Sequence, residues 1–393
     1  MAKPMALSGN FAAAYATKQI NPHVVAAYPI TPQTLMMEKF SEYVANGEVD
    51  TELVCVESEH SAMSACIGAA AAGGRVITST AANGLALMFE VVYIAASLRL
   101  PITMCVMNRA LSGPINIHGD HSDSMGTRDS GWIQIFNENA QEVYDTMFQA
   151  VRIGEHKDVM LPVMVNFDGF ITSHKFERVD TLDDAAVRDY VGTYTPEHSL
   201  LDTEDPVTYG PLDLFDYYFE HKRQQVDAMR NALPVAREVL TSYARETGQN
   251  EYDIIEAYHL DDADVAIVAL SSTAGTAKFV VDRMRAEGKK VGLLKIRLLR
   301  PFPVEAVREA LAGVKQVAVL DRSDSFGAYG GPVFAEVRNA LYDAESRPGI
   351  VDYIYGLGGR DINAVDIEGV YNRMLSASGR MAGDVQYLGV RGD

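Results

Sequence analysis

Short apolar runs, each closed by a turn or a capping residue and followed by a small-residue helical stretch, recur along the first 170 or so residues. Val24-Val-Ala-Ala-Tyr28 reads as a buried strand ended by Pro29-Ile-Thr-Pro32, and Gln33 to Val44 reads as the helix that follows. Leu53-Val-Cys-Val56 predicts another strand, with Glu57-Ser-Glu59 opening a helix that runs to Ala72 and stops at Gly73-Gly74. Arg75 to Thr80 is β-branched and strand-like, and Ala81-Ala-Asn-Gly84 turns into a helix reaching about Ser97. Ile102 to Met107 and Val159 to Phe167 complete the predicted strands. Strands separated by helices of this length imply a parallel sheet with helices on both faces.

From 175 to 215 the periodicity fades into scattered Asp, Thr, Pro and Tyr, which predicts an irregular excursion over a surface. Phe215 to Gln249 is helical and strongly charged, the pattern of a solvated bridging helix. A second α/β unit begins near Asp262. Val265 to Leu270, Lys290 to Ile296 and Gln316 to Leu320 read as strands, with helices after Ser271-Ser-Thr-Ala-Gly-Thr276, at Val304 to Leu311 and within Gly331 to Tyr342. The expected division is residues 1–214, a connector over 215–261, and 262–393. Both α/β units read as doubly wound sheets, whose ligands sit at the carboxyl ends of strands.

Composition narrows the function classes. With 48 % apolar and 22 % charged residues in 393, the chain is long and apolar enough for two cores. Its 34 Lys plus Arg against 53 Asp plus Glu give a net charge of −19, which opposes binding to nucleic acid or anionic lipid. The start, Met1-Ala-Lys-Pro-Met-Ala-Leu, lacks the apolar core of a signal peptide, and Leu85 to Met107 is interrupted by Glu90, Arg99 and Pro101. A cytoplasmic location is expected. Cys55, Cys66 and Cys105 form no CxxC or Cys/His pair, so this chain alone supplies no iron–sulfur or zinc framework.

Four segments carry candidate chemistry. Glu59 follows a predicted strand and precedes an Ala- and Gly-rich helix that lets a flat ligand approach; it suits acid–base work, or simply answers the helix dipole. Arg109, in Met107-Asn-Arg-Ala-Leu, ends an apolar strand where a guanidinium can take a carboxylate through two parallel bonds, or forms a surface ion pair. His118-Gly-Asp120-His121-Ser-Asp123 holds metal-ligand residue types but sits in loop chemistry, and reads as a hydrogen-bonded loop over a site rather than a metal centre. Asn166 to His174 includes Thr172, Ser173 and His174 without a nucleophile-elbow motif, so hydrolysis is disfavoured. Gly356-Leu-Gly-Gly359 lacks the dinucleotide spacing, and the terminal Arg391-Gly-Asp393 carries no functional weight.

Taken in order, Tyr28-Pro-Ile-Thr-Pro32, Glu57-Ser-Glu59, Asn108-Arg-Ala-Leu111, Gly119-Asp-His-Ser-Asp123 and Phe167-Asp-Gly-Phe-Ile-Thr-Ser-His174 resemble the α subunit of the 2-oxoacid:ferredoxin oxidoreductases, most closely the pyruvate-acting branch. Arg300-Pro-Phe-Pro303 resembles that family's second domain, which is similar to the transketolase C-terminal domain. The resemblance implies an N-terminal thiamine-diphosphate pyrimidine-binding-type domain. It implies thiamine diphosphate shared with a β subunit, Mg2+ and [4Fe-4S] clusters on partner chains, and γ and ferredoxin-like δ subunits or fused equivalents. By the same resemblance, Glu59 holds the pyrimidine N1′ and is catalytic, while Arg109 and Thr31 bind the substrate carboxylate. No metal ligand is assigned to this chain. Gly113 and Pro114 would shape the space around the substrate. An oxalate-acting branch carries a second arginine at the position of Thr31, so the neutral Thr31 favours a monocarboxylic 2-oxo acid. The expected reaction joins pyruvate and CoA to give acetyl-CoA, CO2 and reduced ferredoxin, reversibly, with ferredoxin docking on another subunit because this chain is acidic. The alternatives are a sibling acting on 2-oxoisovalerate, 2-oxoglutarate or another 2-oxo acid, and a non-catalytic architectural subunit.

Overall fold

Fifteen strands are present in the computed structural model, which describes residues 3–392. The first half contributes β1 (Lys3–Leu7), β2 (Val24–Ala27), β3 (Glu52–Cys55), β4 (Val76–Thr80), β5 (Thr103–Asn108), β6 (Ile133–Asn137), β7 (Val163–Asp168) and β8 (Glu177–Thr181). The second contributes β9 (Ile255–Tyr258), β10 (Val265–Ala269), β11 (Val291–Ile296), β12 (Leu298–Arg300), β13 (Gln316–Asp321), β14 (Gly349–Tyr355) and β15 (Ala382–Leu388). They form a seven-stranded sheet in the order β12-β6-β7-β5-β4-β2-β3, a six-stranded sheet in the order β15-β14-β13-β10-β11-β9, and the antiparallel pair β1-β8. Within the large sheets every pairing is parallel except those of β9 and β12 at the edges.

The central strands β4, β5, β6 and β7 are buried along their whole length, as expected where helices cover both faces. One cover is helix Gly9–Ile20, whose buried alanines at 12, 13, 14 and 16 let it lie close against helix Ala140–Gly154. The latter starts at Asn139, whose side chain accepts the Glu142 N–H, and is buried almost all round because helix Tyr218–Thr247 packs on its outer side.

Three local expectations are corrected here. β6 escaped the hydropathy pattern because Gln134 and Asn137 interrupt a short run, yet both are buried and hydrogen-bonded inside the sheet. The stretch expected to be irregular from 175 contains β8 and helix Asp184–Val191, leaving only 192–217 without regular structure. Helix Tyr218–Thr247 is no solvated bridge. Ala228, Ala232, Ala236, Val239, Leu240 and Tyr243 make a buried stripe, narrow because it is built mainly of alanine, and so masked by the surrounding charges.

The two large sheets are joined by more than this helix. β12, which follows β11 in the chain, leaves the second sheet and pairs with β6 of the first. Next to it the Lys295 ammonium is buried among Glu138 (2.7 Å), Glu142 and Glu256 (3.3 Å), two of them from the first half. Burial alone would lower the Lys295 pKa, but these carboxylates outweigh it and hold it raised. The three glutamates lie close enough together for a metal ion, and Lys295 provides the countercharge there.

Candidate active site

Strand order locates the crevice. In the first sheet the chain winds one way from β2 to β3 and the other way from β4 through β5 and β7, so the winding reverses between β2 and β4. The carboxyl ends of those strands carry the Tyr28–Pro32 turn and the Thr80–Gly84 turn, with Glu59 after β3 and Arg109 after β5.

Glu59 is the first residue of helix Glu59–Ala71, which Ser58 caps by accepting the Ser61 N–H. It is only 6 % exposed, and among the described residues its carboxylate has no hydrogen-bond partner. It lies against the Thr80–Gly84 turn, where a Cβ added to Gly84 would stand 2.7 Å from Glu59 Oε1 and 2.5 Å from Thr80 Oγ1. Only glycine fits. Thr80 Oγ1 is buried and likewise unpartnered. A nearly buried carboxylate without a protein partner, beside a buried and unpartnered hydroxyl, marks a place suited to a polar ligand edge. The turn itself is strained: Ala82 has φ +42°, in the left-handed region that a side chain disfavours.

Arg109 is also buried. Its Nη1 donates to the Thr31 carbonyl at 2.8 Å and its Nε to the Asn116 carbonyl at 3.0 Å; among the described residues Nη2 has no protein partner. Burial lowers the guanidinium pKa, with Asp123 opposing the shift, and an arginine remains charged under such conditions. Thr31 is exposed, in a turn held by Asn10 Nδ2 on the Pro32 carbonyl (2.9 Å) and by Gln33 Nε2 on Ser79 Oγ (2.5 Å).

Asp123, to which the sequence assigned no individual role, ties these pieces together. Its carboxylate accepts the backbone N–H of Ala82 (2.9 Å) from the turn against Glu59, the N–H of Arg109 (2.9 Å), and Asn108 Nδ2 (3.0 Å). Burial pushes its carboxyl up to about 6 even against these donors. Asn83 adds a second tie, accepting the Ser112 N–H at 3.0 Å. Thr80, Asn83 and Gly84 line this place without having been singled out by spacing, the Ala-Ala-Asn-Gly turn being their only local signal, whereas Asp123 stood in the His118–Asp123 segment without an individual role.

The other loop residues serve the joint between the halves. His118 makes a tilted ring contact with Phe170 and abuts Gly359, Asp120 accepts the Gly358 N–H at 3.0 Å, and His121 Nε2 meets Asp168 Oδ1 at 2.7 Å. Their side chains therefore face separate partners. Asp168 is the hub: its other oxygen receives Arg322 Nη1 (3.2 Å), the Ser272 N–H (3.0 Å) and the Ser272 hydroxyl, all from the second half. Burial alone would raise the Asp168 pKa, but Arg322 and His121 outweigh it and hold the carboxyl well below the usual range. Ser173 and His174 do pair, at 2.8 Å, but Ser173 is fully buried and its oxygen closes a turn by accepting the Phe170 N–H.

The comparisons agree with this architecture. Residues 15–240 match the family described as pyruvate flavodoxin/ferredoxin oxidoreductase, thiamine diphosphate-binding, and residues 263–367 match pyruvate:ferredoxin oxidoreductase core domain II. The chain belongs to the pyruvate:ferredoxin oxidoreductase family. Among its relatives are the pyruvate synthase subunits PorA of Thermotoga maritima, 56 % identical over 98 % of both chains, and of Methanocaldococcus jannaschii, 48 % identical over 96 % of both. The ketoisovalerate oxidoreductase subunit VorA of Pyrococcus abyssi is 42 % identical over 97 % of this chain and 96 % of that one. In fold, the chain is similar to a 2-oxoglutarate:ferredoxin oxidoreductase of Magnetococcus marinus, with TM-score 0.75 and 20 % identity over 95 % of this chain and 65 % of that one. It is similar also to a split-gene transketolase, with TM-score 0.56 and 12 % identity over 95 % of this chain and 99 % of the other. The fold is thus α/β, of the type in which a thiamine-diphosphate-binding unit precedes a transketolase-like one.

Proposed function

We propose that this chain is the α subunit of a CoA-acetylating pyruvate:ferredoxin oxidoreductase, which converts pyruvate, CoA and oxidised ferredoxin reversibly to acetyl-CoA, CO2 and reduced ferredoxin. The observation that carries the reading is the buried, unpartnered Glu59 carboxylate beside Thr80 and Gly84 at the reversal of the first sheet.

That cradle fits thiamine diphosphate. A carboxylate without a partner, beside a glycine with no room for a side chain, suits the nitrogen-bearing edge of a flat aminopyrimidine ring. When bound, the cofactor supplies the electron sink for decarboxylating a 2-oxo acid. Glu59 holds a proton at the ring nitrogen and so sets the ring's tautomer. Arg109 presents Nη2 to the substrate carboxylate, fixed from behind by its bonds to Thr31 and Asn116. Thr31 adds a hydroxyl donor beside it. Its neutrality leaves one cationic group for one carboxylate, which favours a monocarboxylic acid, in line with 56 % and 48 % identity to the two pyruvate synthase subunits against 42 % to the ketoisovalerate one.

The rest of the machinery is assigned to other chains. Cys66 and Cys105 are buried apart, and burial pushes both thiols up, to about 12 for Cys66, so neither is the thiolate a cluster needs. On this reading Mg2+ and the [4Fe-4S] clusters lie on β and ferredoxin-like subunits, and ferredoxin docks away from this acidic chain. Residues 1–214 form the cofactor unit and 262–393 the assembly unit, with 215–261 between them. Among the described residues no helix is long and apolar enough to cross a membrane, and a cytoplasmic complex is the natural setting for these substrates.

The test is CoA-dependent viologen reduction by the native complex across a panel of 2-oxo acids. Dominant activity with pyruvate, abolished in Glu59→Gln while the complex stays assembled, is the expected result. Preference for a branched or dicarboxylic acid would replace the substrate and keep the mechanism. An intact, thiamine-loaded complex inactive with every acid would leave only an architectural role.

A further inference from the structure

The irregular stretch after Val191 ends in an aromatic arm whose large apolar side chains stay exposed, with the Lys222 ammonium 5.7 Å from the Tyr218 ring centre. Leu212, Leu214, Phe215, Tyr217, Tyr218 and Phe219 are all exposed, with Leu212 at 89 %, Phe215 at 91 % and Phe219 at 78 %. The arm has a defined shape nonetheless. Upstream, the Leu200 N–H donates to the Ala71 carbonyl at 2.9 Å and Tyr209 packs on the core beneath helices Glu59–Ala71 and Phe89–Ser97. Downstream, His221 hydrogen-bonds Asp213, and Gln225 presses onto Gly131 beside Ala96. Single exposed apolar side chains are ordinary, whereas six within eight residues form the kind of patch that marks an interface.

The patch continues away from the arm. The outer side of helix Phe89–Ser97 exposes Phe89 and Ile94, and Leu87 extends it to the Gly84 turn against Glu59. From residue 60 to 98 the only acidic or basic side chains (histidine aside) are Arg75, buried against Glu155, and Glu90. In a chain that is 22 % charged, this sparsely charged face, with Glu90 exposed on it, runs from the mouth of the cofactor crevice to the arm. The arm, in contrast, has an acidic rim, with six carboxylates and no lysine or arginine between residues 202 and 220. A second copy would bring carboxylates against carboxylates, so the charge selects a different chain.

We propose that the arm Leu212–Phe219 and the sparsely charged face leading to Gly84 dock a different subunit, the one that completes the cofactor site, through an apolar groove with a basic rim. This rests on the reading above, in which another chain supplies the remainder of that site.

The experiment uses the native complex, purified through this chain in wild-type and Leu214→Ser/Phe215→Ser/Phe219→Ser forms, with subunit stoichiometry read by native mass spectrometry. The expected result is at least a tenfold loss of the partner chain, with the circular dichroism and thermal midpoint of this chain unchanged. Wild-type stoichiometry in the variant would overturn the proposal. So would retention of the partner with loss of a second copy of this chain, because the arm would then be a self-association surface. If the serine variant is insoluble, Asp213→Lys/Asp216→Lys/Glu220→Lys replaces it. Partner release at lower salt than wild type supports the basic rim, and an unchanged salt dependence refutes it. Failures are distinguishable: a variant that keeps partner and activity removes the docking arm only, whereas a wild-type complex that needs the arm but oxidises no 2-oxo acid removes the function only.

Discussion

The molecule contains two crevices of the same origin, and they have been used differently. In the second sheet the winding reverses between β10 and β13, whose carboxyl ends carry Ser272 and Arg322, as the reversal between β2 and β4 creates the cradle for Glu59 in the first. The second crevice is partly occupied from within: Asp168 of the first half takes the Ser272 N–H at the start of helix Thr273–Ala286 and the Arg322 guanidinium, beside a cavity of about 590 Å³ lined by Ser272, Thr273, Gly275, Thr276 and Arg322 that stays open. A carboxylate thus occupies the place where such folds hold an anionic ligand. The first crevice keeps Glu59 and Thr80 unpaired. The difference shows how a ligand site is recognised here. Both crevices contain a buried carboxylate, but the one in the second, Asp168, is paired at both oxygens, whereas among the described residues the one in the first, Glu59, has no protein partner.

The comparison can be broken most sharply at Glu59. Glu59→Gln should lower turnover roughly 10²–10⁴-fold, the range for removing an acid–base group, with thermal midpoint and subunit content unchanged. Asp168→Ala should do the reverse. Leaving Arg322 buried without its partner should cost about 3–5 kcal/mol, read as an early unfolding transition, while the folded fraction retains activity. Arg109→Lys comes next. A lysine cannot reproduce the fixed fork held by the Thr31 and Asn116 carbonyls, so kcat/KM for pyruvate should fall about 10–100-fold while the response to CoA stays the same.

The smallest effect contrasts the two buried aspartates by pH. The Asp123 carboxyl is raised to about 6 from its usual 3.8, so its stabilisation is full below 3.8 and is lost as pH rises through about 6. Asp168 is held low, so its stabilisation is present above 3.8 and is lost as pH falls below that. Thermal scans from about pH 3 to about pH 7 should show Asp123→Asn gaining on wild type, by a few degrees, as pH rises from about 4 to about 6, and Asp168→Asn gaining on wild type only as pH falls below about 4. Parallel pH trends in the two variants would remove the distinction between the crevices.

Much of the scaffold was legible because its strands are short apolar runs closed by turns: β2, β3, β4, β5, β10, β11 and β13 fall on the runs read from the sequence. What failed to show was long-range or compositionally masked. Two partners of Asp168, Ser272 and Arg322, lie more than a hundred residues away, so its motif looked like site chemistry. The glycines at 356–359, set aside as a nucleotide signal, prove to be the surface on which Asn116 and His118 rest. Thr31, Glu59 and Arg109 were singled out by ordered motifs, and they lie at the strand ends that the winding of the first sheet brings together. Asp123 lay inside a recognised motif, but its function is to accept backbone N–H groups from two loops, which no residue spacing encodes.

β12 has a consequence for how the protein is made. The first sheet is finished by three residues, Leu298–Arg300, that follow β7 by more than a hundred positions. At a synthesis rate of roughly 5–20 residues per second, β6 stands as an open edge on the ribosome for about ten seconds before its neighbour exists. A gene cut between the two sheets would make that wait permanent, so the fragment carrying Glu59 should aggregate through β6 when expressed alone.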